Sequence, residues 1–326
     1  MSDTAMKNNR LKDSILEGPG PSTSKEAINL FAKGVAMGTA DIIPGVSGGT
    51  IAFITGIYSQ LLNAIKSVGA ESLKSLFKFQ IADALKPIHF RFLIPLGLGI
   101  MVALLSTARL MSFLLKNHPV PTWSLFFGLI LASTVVLGKS IENIASLKNI
   151  VMIILGAIAA FLIVGLIPVT TPTSWWFILF CGMIAITAMI LPGISGSFIL
   201  LILGKYEFIT GALKNPFSTE SIQTIIVFVI GASIGITGFS RVLSYLLMRF
   251  RTQTLCILTG LMIGSLRKVW PWKEVLSQKT IRGKIHILSE MNILPAQFEK
   301  AEAMALLMLV VGIILVFLLE KMAETK

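Results

Sequence analysis

Charged residues are scarce in this 326-residue chain. They make up 13% of it, hydrophobic residues make up 54%, and the mean hydropathy is +0.83. A composition this apolar excludes a soluble globular protein of this length and predicts a polytopic membrane protein. Acidic residues are scarcer than basic ones, with 16 Asp and Glu against 28 Lys and Arg. The positions of the Lys and Arg residues in the loops can indicate the orientation of the protein in the membrane.

Cysteine and histidine are also rare. Cys181 and Cys256 both fall inside apolar segments, which predicts buried small hydrophobes and argues against a disulfide framework. His89, His118 and His286 occupy separate polar connections without the spacing of metal ligands. We therefore expect neither a metal site nor another cofactor.

Long apolar runs supply the membrane segments. Crossing a hydrocarbon core of about 30 Å takes about 20 residues. Runs that approach or exceed this length, one of them short, lie at 92–115, 122–138, 149–168, 222–247, 254–266 and 304–320. Two further apolar stretches, 34–58 and 176–204, are interrupted by Pro, Gly and Ser. The polar first 33 residues hold no apolar core of a cleavable signal.

The interruption occurs twice in closely similar words. DIIPGVSGGT, Asp41–Thr50, returns 148 residues later as MILPGISGSF, Met189–Phe198. Aligning Gly34–Lys66 with Gly182–Lys214 needs no gap and gives 14 identities in 33 positions. Shared membrane composition would supply isoleucine and alanine, but not T-A-x-I-x-P-G-x-S-G in register.

The similarity resumes later in the chain at an offset of 132 residues, where Arg109-x-x-Ser-x-Leu-Leu matches Arg241-x-x-Ser-x-Leu-Leu. We therefore predict a duplicated protein. Its predicted parts are a cytoplasmic N-terminal tail at 1–24, a first repeat at 25–170 and a second repeat at 171–326.

The number of crossings in each repeat decides their relative orientation. If each interrupted segment enters and leaves on one side, each repeat crosses three times, and an odd number inverts the second repeat. With the N-terminus in the cytoplasm, 16 Lys and Arg lie on the inner side and 10 on the outer, 7 of them in the long connection 265–303. Short loops alone give 16 against 3, which obeys the positive-inside rule.

The predicted fold class is therefore an all-α polytopic membrane protein. It has two inverted-topology repeats, each with one re-entrant helical hairpin and three transmembrane helices, and both termini are cytoplasmic.

The interrupted motifs predict an anion-binding site. A proline ends the preceding helix, and a second arm starting at Ser47 or Ser195 would leave its first amides unpaired, with the positive dipole end facing inward. Such an end suits an anion. The alternative is that the turns only allow short helices to pack tightly. The candidate substrate-binding residues are Pro44, Gly45, Ser47, Gly48 and Gly49 in the first copy, and Pro192, Gly193, Ser195, Gly196 and Ser197 in the second.

Two arginines extend this candidate site. Arg109 and Arg241 each lie inside an apolar span, where an arginine costs about 2.5–3.5 kcal/mol on insertion scales. A guanidinium can donate two hydrogen bonds to phosphate oxygens. The alternative is that both side chains extend to the headgroup layer.

An enzyme is not expected. GVSGG resembles the G-x-S-x-G nucleophile elbow, but that elbow needs a strand, a turn and a helix with His and Asp partners, and GISGS in the second copy departs from it. A membrane lipid phosphatase would need a nucleophile with acid–base residues, whereas the histidines are scattered in loops.

The motif pair resembles a bacterial family of polyprenyl-phosphate transporters. The matching words are GTADIIPGVSGGTIAFITGIY and TAMILPGISGSFILLILGKY, within a similar region from about 27 to 320. The resemblance implies a flippase in the bacterial plasma membrane that returns undecaprenyl phosphate from the outer to the inner leaflet. Its partners would be that lipid or a related polyprenyl phosphate and the bilayer, with no nucleic acid. Protein partners stay open.

The residues alone support a less specific function than the resemblance does. They indicate an anion-handling transporter with inverted repeats. A secondary carrier of a small soluble anion and a purely structural membrane protein remain alternatives.

Asp41 is the candidate for proton coupling. It stands three residues before Pro44, and a phosphate monoester with a second pKa near 6 can lose part of its charge by protonation. Its counterpart in the second copy is Met189, so the role would be asymmetric. The alternative is that Asp41 caps a helix or pairs with Lys33 or an arginine.

Overall fold

The chain is described by a computed structural model over residues 18–42, 47–68, 83, 85–166, 171–215, 217–281, 284–295, 297 and 300–324. Within these residues it forms twelve helices and one β-hairpin. The helices are α1 Ser24–Asp41, α2 Gly48–Ile54, α3 Tyr58–Ser67, α4 Phe90–Asn117, α5 Pro119–Lys139, α6 Leu147–Val164, α7 Trp175–Ile190, α8 Gly196–Ile202, α9 Tyr206–Lys214, α10 Thr219–Arg249, α11 Arg251–Val269 and α12 Lys300–Glu324.

Five of these helices are long and apolar enough to cross a membrane. The qualifying segments are Phe90–Thr107, Pro119–Lys139, Leu147–Val164, Thr219–Arg249 and Lys300–Lys321. The count of candidate spans rises to six if α8 and α9, which are bent by 118° relative to each other, are taken as one broken span. The predicted short span 254–266 is helical within α11, but α11 is not among the five because its Thr, Gln and terminal basic residues dilute its apolar content.

A β-hairpin, which the sequence analysis did not predict, is added to the predicted helical fold. Strands β1, Lys273–Ile281, and β2, Lys284–Asn292, pair antiparallel between α11 and α12. The alternation of polar and apolar residues at the start of β2, Lys-Ile-His-Ile, is the sequence signal for this hairpin. At its base the Lys273 ammonium lies 3.3 Å from the Glu290 carboxylate and 4.4 Å from the ring centre of Trp123. Burial lowers the pKa of Lys273 to about 8.

Glycines allow the long helices to pack closely in pairs. A Cβ at Gly34 of α1 would collide with the Leu96 carbonyl of α4, and one at Gly38 would collide with the Ile100 carbonyl. These contacts advance together along both helices, so α1 and α4 run parallel. Close helix packing through small residues is the usual mode in membranes. The same kind of contact joins α7 to α10, α5 to α12 and α6 to α11.

Two glycines on α4 test this packing. A Cβ at Gly99 meets backbone atoms of Phe31 and Val35, whereas a Cβ at Gly97 meets nothing within 4 Å. We expect Gly99→Ala to lower the free energy of unfolding by about 1–3 kcal/mol, as overpacking does. Gly97→Ala, two residues away on the same helix, should leave it unchanged. Thermal unfolding of both purified variants in one detergent checks this, and equal stabilities would contradict it.

Both ends of the segment from α1 to α3 lie beside the start of α4. The Arg91 guanidinium donates to the Pro21 carbonyl ahead of α1, and the His89 amide donates to Ser67 Oγ at the end of α3, 3.1 Å away. Gly56 makes the reversal after α2 with φ +72°, a conformation that favours glycine. The chain therefore enters and leaves this segment on one side.

The segment from α7 to α8 follows a similar course. Lys205, just after α8, donates from Nζ to the carbonyl of Thr171, ahead of α7, at 2.7 Å. The hydroxyl of Thr171 in turn donates to the Leu203 carbonyl. Gly204 supplies the turn with φ +62°. The end of α8 thus returns to the start of α7.

Candidate functional site

The helical course of the chain is interrupted between α1 and α2 and again between α7 and α8. These two helix breaks lie in direct contact. The Ser47 hydroxyl donates to the Met189 carbonyl at 2.8 Å, and Ser47 is fully buried. In the other direction, the Gly193 amide donates to Thr50 Oγ1 at 3.1 Å. Segments separated by more than 140 residues in the chain are therefore joined by reciprocal hydrogen bonds.

Two glycines at the breaks have no room for a side chain, Gly49 because of the opposing break and Gly193 because of α11. A Cβ at Gly49 would lie 2.5 Å from the Ile190 carbonyl oxygen. Gly193 has φ +86°, and a Cβ there would lie 2.9 Å from Met262 Cα and 3.0 Å from Ser265 Oγ. Glycine is required at both positions because the opposing backbone cannot move aside as a flexible side chain can.

The side chain of Asp41, the last residue of α1, lies at the N-terminus of α2. Its Oδ1 accepts a hydrogen bond from the Gly48 amide at 2.7 Å, and Ser47 Oγ accepts from the Gly49 amide at 3.1 Å. The expectation that α2 leaves its first amides unpaired is therefore wrong. The sequence gives the separation of seven residues between Asp41 and Gly48. It does not show that the chain folds back so that the Asp41 carboxylate reaches the Gly48 amide. The capping alternative for Asp41 matches this geometry.

The second break differs chemically from the first. Met189, the counterpart of Asp41, brings a thioether chain to the N-terminus of α8, where a Cβ at Gly196 would lie 2.6 Å from Met189 Cγ. Ser195 precedes α8 without a side-chain capping bond. Its hydroxyl instead lies 2.8 Å from that of Ser197. Among the described residues, the α8 end thus carries two hydroxyl groups and no carboxylate, and Pro192 is buried in the turn.

The structure describes Arg241 completely but only the backbone of Arg109. Arg241 is exposed on α10, and among the described residues no hydrogen bond or ion pair joins it to either break. For Arg109 the structure describes the backbone, inside α4, and not the side chain. Pro44 and Gly45 lie outside the described residues.

Three residues near the breaks make contacts that sequence reasoning did not predict. Tyr58 donates from its hydroxyl to the Ile190 carbonyl at 3.0 Å, and its presence in both copies was an available signal. Lys33 donates from Nζ to the Thr55 carbonyl at 2.7 Å, and Lys205 is almost fully buried. A lysine inside an apolar run was the signal for these two.

Two cavities adjoin the turn at Gly56. The larger, about 810 Å³, lies beside α1 and includes Lys33, Gln60 and His89 in its lining. The smaller, about 410 Å³, lies between α3 and the junction of α10 with α11. Asn63 of α3 lines both.

These features define a multi-pass helical membrane protein whose interior contains two helix breaks in mutual contact. The chain matches the family model VCA0040-like, described as undecaprenyl phosphate translocase-like, over residues 37–286. It belongs to this family. The family consists of membrane transporters, not enzymes.

Two curated relatives extend the match. A polyprenyl-phosphate transporter of Vibrio cholerae serotype O1 is 43% identical over 304 residues, which cover 91% of this chain and 97% of that protein. A polyprenyl-phosphate transporter of Staphylococcus aureus is 33% identical over 261 residues, 75% of this chain and 86% of that protein. No solved structure matches significantly.

Proposed function

We propose that this protein moves undecaprenyl phosphate, or a related polyprenyl phosphate, from the outer to the inner leaflet of the bacterial plasma membrane. Membership of the translocase-like family supports the substrate, as do the names of both relatives. The observation that carries the proposal is the contact between the two breaks, through Ser47 and Met189 and through Thr50 and Gly193. Irregular backbone persists at membrane depth only where protein buries it or where it lines a polar cavity.

The two halves are proposed to be inverted repeats. Corresponding glycine contacts support this: Gly34 meets the Leu96 carbonyl, and Gly182 meets that of Phe228, at the offsets of 148 and 132 residues that the sequence repeats define. The hydrogen bond from Lys66 of α3 to Ser244, near the end of α10, supports the inversion. It sets the end of α10 on the side where its counterpart α4 begins.

The membrane arrangement follows from this inversion. The returns at Gly56 and Gly204 support two re-entrant hairpins, and α11 is proposed as the sixth full crossing. The charge distribution of the loops supports cytoplasmic termini. Hairpins of opposite orientation could then expose the breaks to each leaflet in turn.

The breaks are proposed to handle the phosphate group itself. At α2 a carboxylate already stands on the Gly48 amide, where a bound phosphate oxygen would stand. The Asp41 carboxylate and a phosphate would therefore compete for one donor. At α8 the hydroxyls of Ser195 and Ser197 offer donors without that competitor.

Competition at Gly48 suggests how protons would be coupled to transport. Moving a headgroup of charge near −2 inward costs about 2 × 2.3 kcal/mol per 100 mV of negative interior potential. Protonating Asp41 would weaken its hold on the Gly48 amide and release it for phosphate. One group would then link proton uptake from the outer side to substrate binding.

The arginines are proposed to guide the headgroup toward the breaks. Arg241 lies on the same exposed side of α10 as Ser233, eight residues before it, and Tyr245, four residues after it. Such a stripe would let a phosphate stay near a polar surface while its isoprenoid chain remains in lipid. Arg109 is proposed for the corresponding role on α4.

Transport by reconstituted protein tests the function. Proteoliposomes carrying a fluorescent polyprenyl phosphate in both leaflets are treated with a membrane-impermeant quencher, and leaflet exchange is followed over time. We expect exchange with the protein and none in empty vesicles. Faster exchange of the phosphate lipid than of the matching polyprenol supports headgroup recognition. Equal exchange of both lipids, or none of either, contradicts the proposal.

A further inference from the structure

We propose that the 410 Å³ cavity between α3 and the α10–α11 junction is a phosphate-monoester site, separate from the helix breaks. Arg251 lines the cavity together with four polar residues, Ser59, Asn63, Ser140 and Ser244, and none of its lining residues is acidic. Its volume is in the range of small-molecule sites. This inference rests on the proposed function and assigns it a second binding station.

The charge of the cavity favours an anion. The Arg251 guanidinium presents donors in a fork that matches phosphate oxygens. A second cation stands just behind the wall, because Lys66 donates from Nζ to Ser244 Oγ at 3.2 Å. Two cations and several neutral hydrogen-bonding groups therefore converge where no carboxylate lines the wall.

The remaining wall is apolar and leads toward the breaks. Phe53, Leu62 and Leu255 line it, as does the ring of Tyr58. The Tyr58 hydroxyl donates to the Ile190 carbonyl at the edge of the second break. An amphipathic molecule fits such a wall, with its phosphate at Arg251 and the first carbons of its chain on the aromatic and aliphatic side.

Two of the corresponding positions in the other half of the chain carry residues of different chemistry. At the repeat offsets, Pro119 stands in place of Arg251 and Glu207 in place of Ser59. A carboxylate would repel a phosphate where a serine would bind it. The proposed station is therefore single and lies on the side where α3 and α10 end, the cytoplasmic side in the orientation proposed above.

Binding to the purified full-length protein tests the station. The probe is farnesyl phosphate, a short polyprenyl phosphate, and the variant is Arg251→Ala. Losing a charge-assisted hydrogen bond should weaken binding about tenfold or more. The matched control is Arg249→Ala, which removes an exposed arginine two residues away that does not line the cavity, and it should bind within about twofold of the wild type.

Competition distinguishes the two sources of the phosphate. Displacement by equimolar inorganic phosphate would support a site for the free anion, and displacement only by a second lipid phosphate would support a headgroup site. Arg251→Ala binding equal to the wild type overturns the station. If the wild type transports polyprenyl phosphate while Arg251→Ala binds normally, only this inference fails. If the wild type does not transport it, the proposed function fails.

A second variant keeps the test decisive if Arg251→Ala does not fold. Ser59→Cys places a thiol on the cavity wall, while the native Cys181 and Cys256 are fully buried. We expect farnesyl phosphate to slow alkylation of the new thiol at least about threefold, and farnesol to leave it unchanged, since the phosphate is what Arg251 binds. Equal protection by both, or by neither, overturns the proposal.

Discussion

Replacing Gly49 by alanine is expected to reduce polyprenyl-phosphate transport about tenfold or more, the equivalent of about 1.4 kcal/mol. The added Cβ would lie 2.5 Å from the Ile190 carbonyl oxygen and 3.0 Å from that of Met189. Both are backbone atoms of the opposing break, so α2 must move away from it. That movement breaks the hydrogen bond between Ser47 and Met189 and separates the two breaks. Transport in proteoliposomes measures the effect.

Gly211→Ala is the matched control for this substitution. Gly211 also lies in a short helix, α9, but a Cβ there meets nothing within 4 Å. Alanine is the better helix former, so this variant should fold and transport as the wild type does. Gly49→Ala should also lose about 1–3 kcal/mol of folding stability through overpacking. A folded Gly49→Ala protein that transports at the wild-type rate would show that contact between the breaks is not needed.

Asp41→Asn is expected to abolish the dependence of transport on a pH gradient. In the wild type, acidifying the outer side should accelerate inward movement, because protonated Asp41 releases the Gly48 amide for phosphate. Asparagine keeps nearly the same shape and stays neutral at every pH, so the response should vanish. The measurement is the initial inward rate with an imposed gradient of about two pH units, compared with no gradient.

Glu220→Gln serves as the control for the gradient experiment. Glu220 is an exposed carboxylate in the first turn of α10, remote in sequence from both breaks. Its amide variant should keep the wild-type response. Coupling through Asp41 is refuted if Asp41→Asn responds to the gradient as the wild type does, or if the wild type shows no response.

The sequence predicts the membrane segments and the paired motifs well because both depend on local patterns. Apolar runs such as 149–168 and 222–247 correspond to α6 and α10. The repeated P-G-x-S-G words identify the segments that meet in the structure. Their register is visible because Ser47 and Ser195 stand at the same place in both copies.

The partners of individual groups could not be predicted in the same way. The spacing between Asp41 and Gly48 gives no direction for the chain between them, so the capping bond became visible only in three dimensions. The cavity at Arg251 depends on residues more than 100 positions apart with no shared motif, such as Ser59 and Ser140 with Arg251.

Half-buried Lys33 and buried Lys205 show why a repeat does not fix chemistry position by position. The counterpart of Lys33 is Cys181, and the counterpart of Lys205 is Ile57. Each lysine nevertheless donates to a backbone carbonyl near the hairpin turn or entrance of its own half, Thr55 or Thr171. Each half therefore has a lysine that donates to a carbonyl near its hairpin, at a different position of the repeat.

Mapping the path of the headgroup tests the central claim most directly. A polyprenyl phosphate with a photoreactive group next to its phosphate is crosslinked to the reconstituted protein, and the modified peptides are sequenced. We expect labelled residues at 47–63 and 189–197, and we expect excess unlabelled lipid phosphate to suppress this labelling. Labels confined to other surfaces, with both breaks unmodified while transport proceeds, would contradict it.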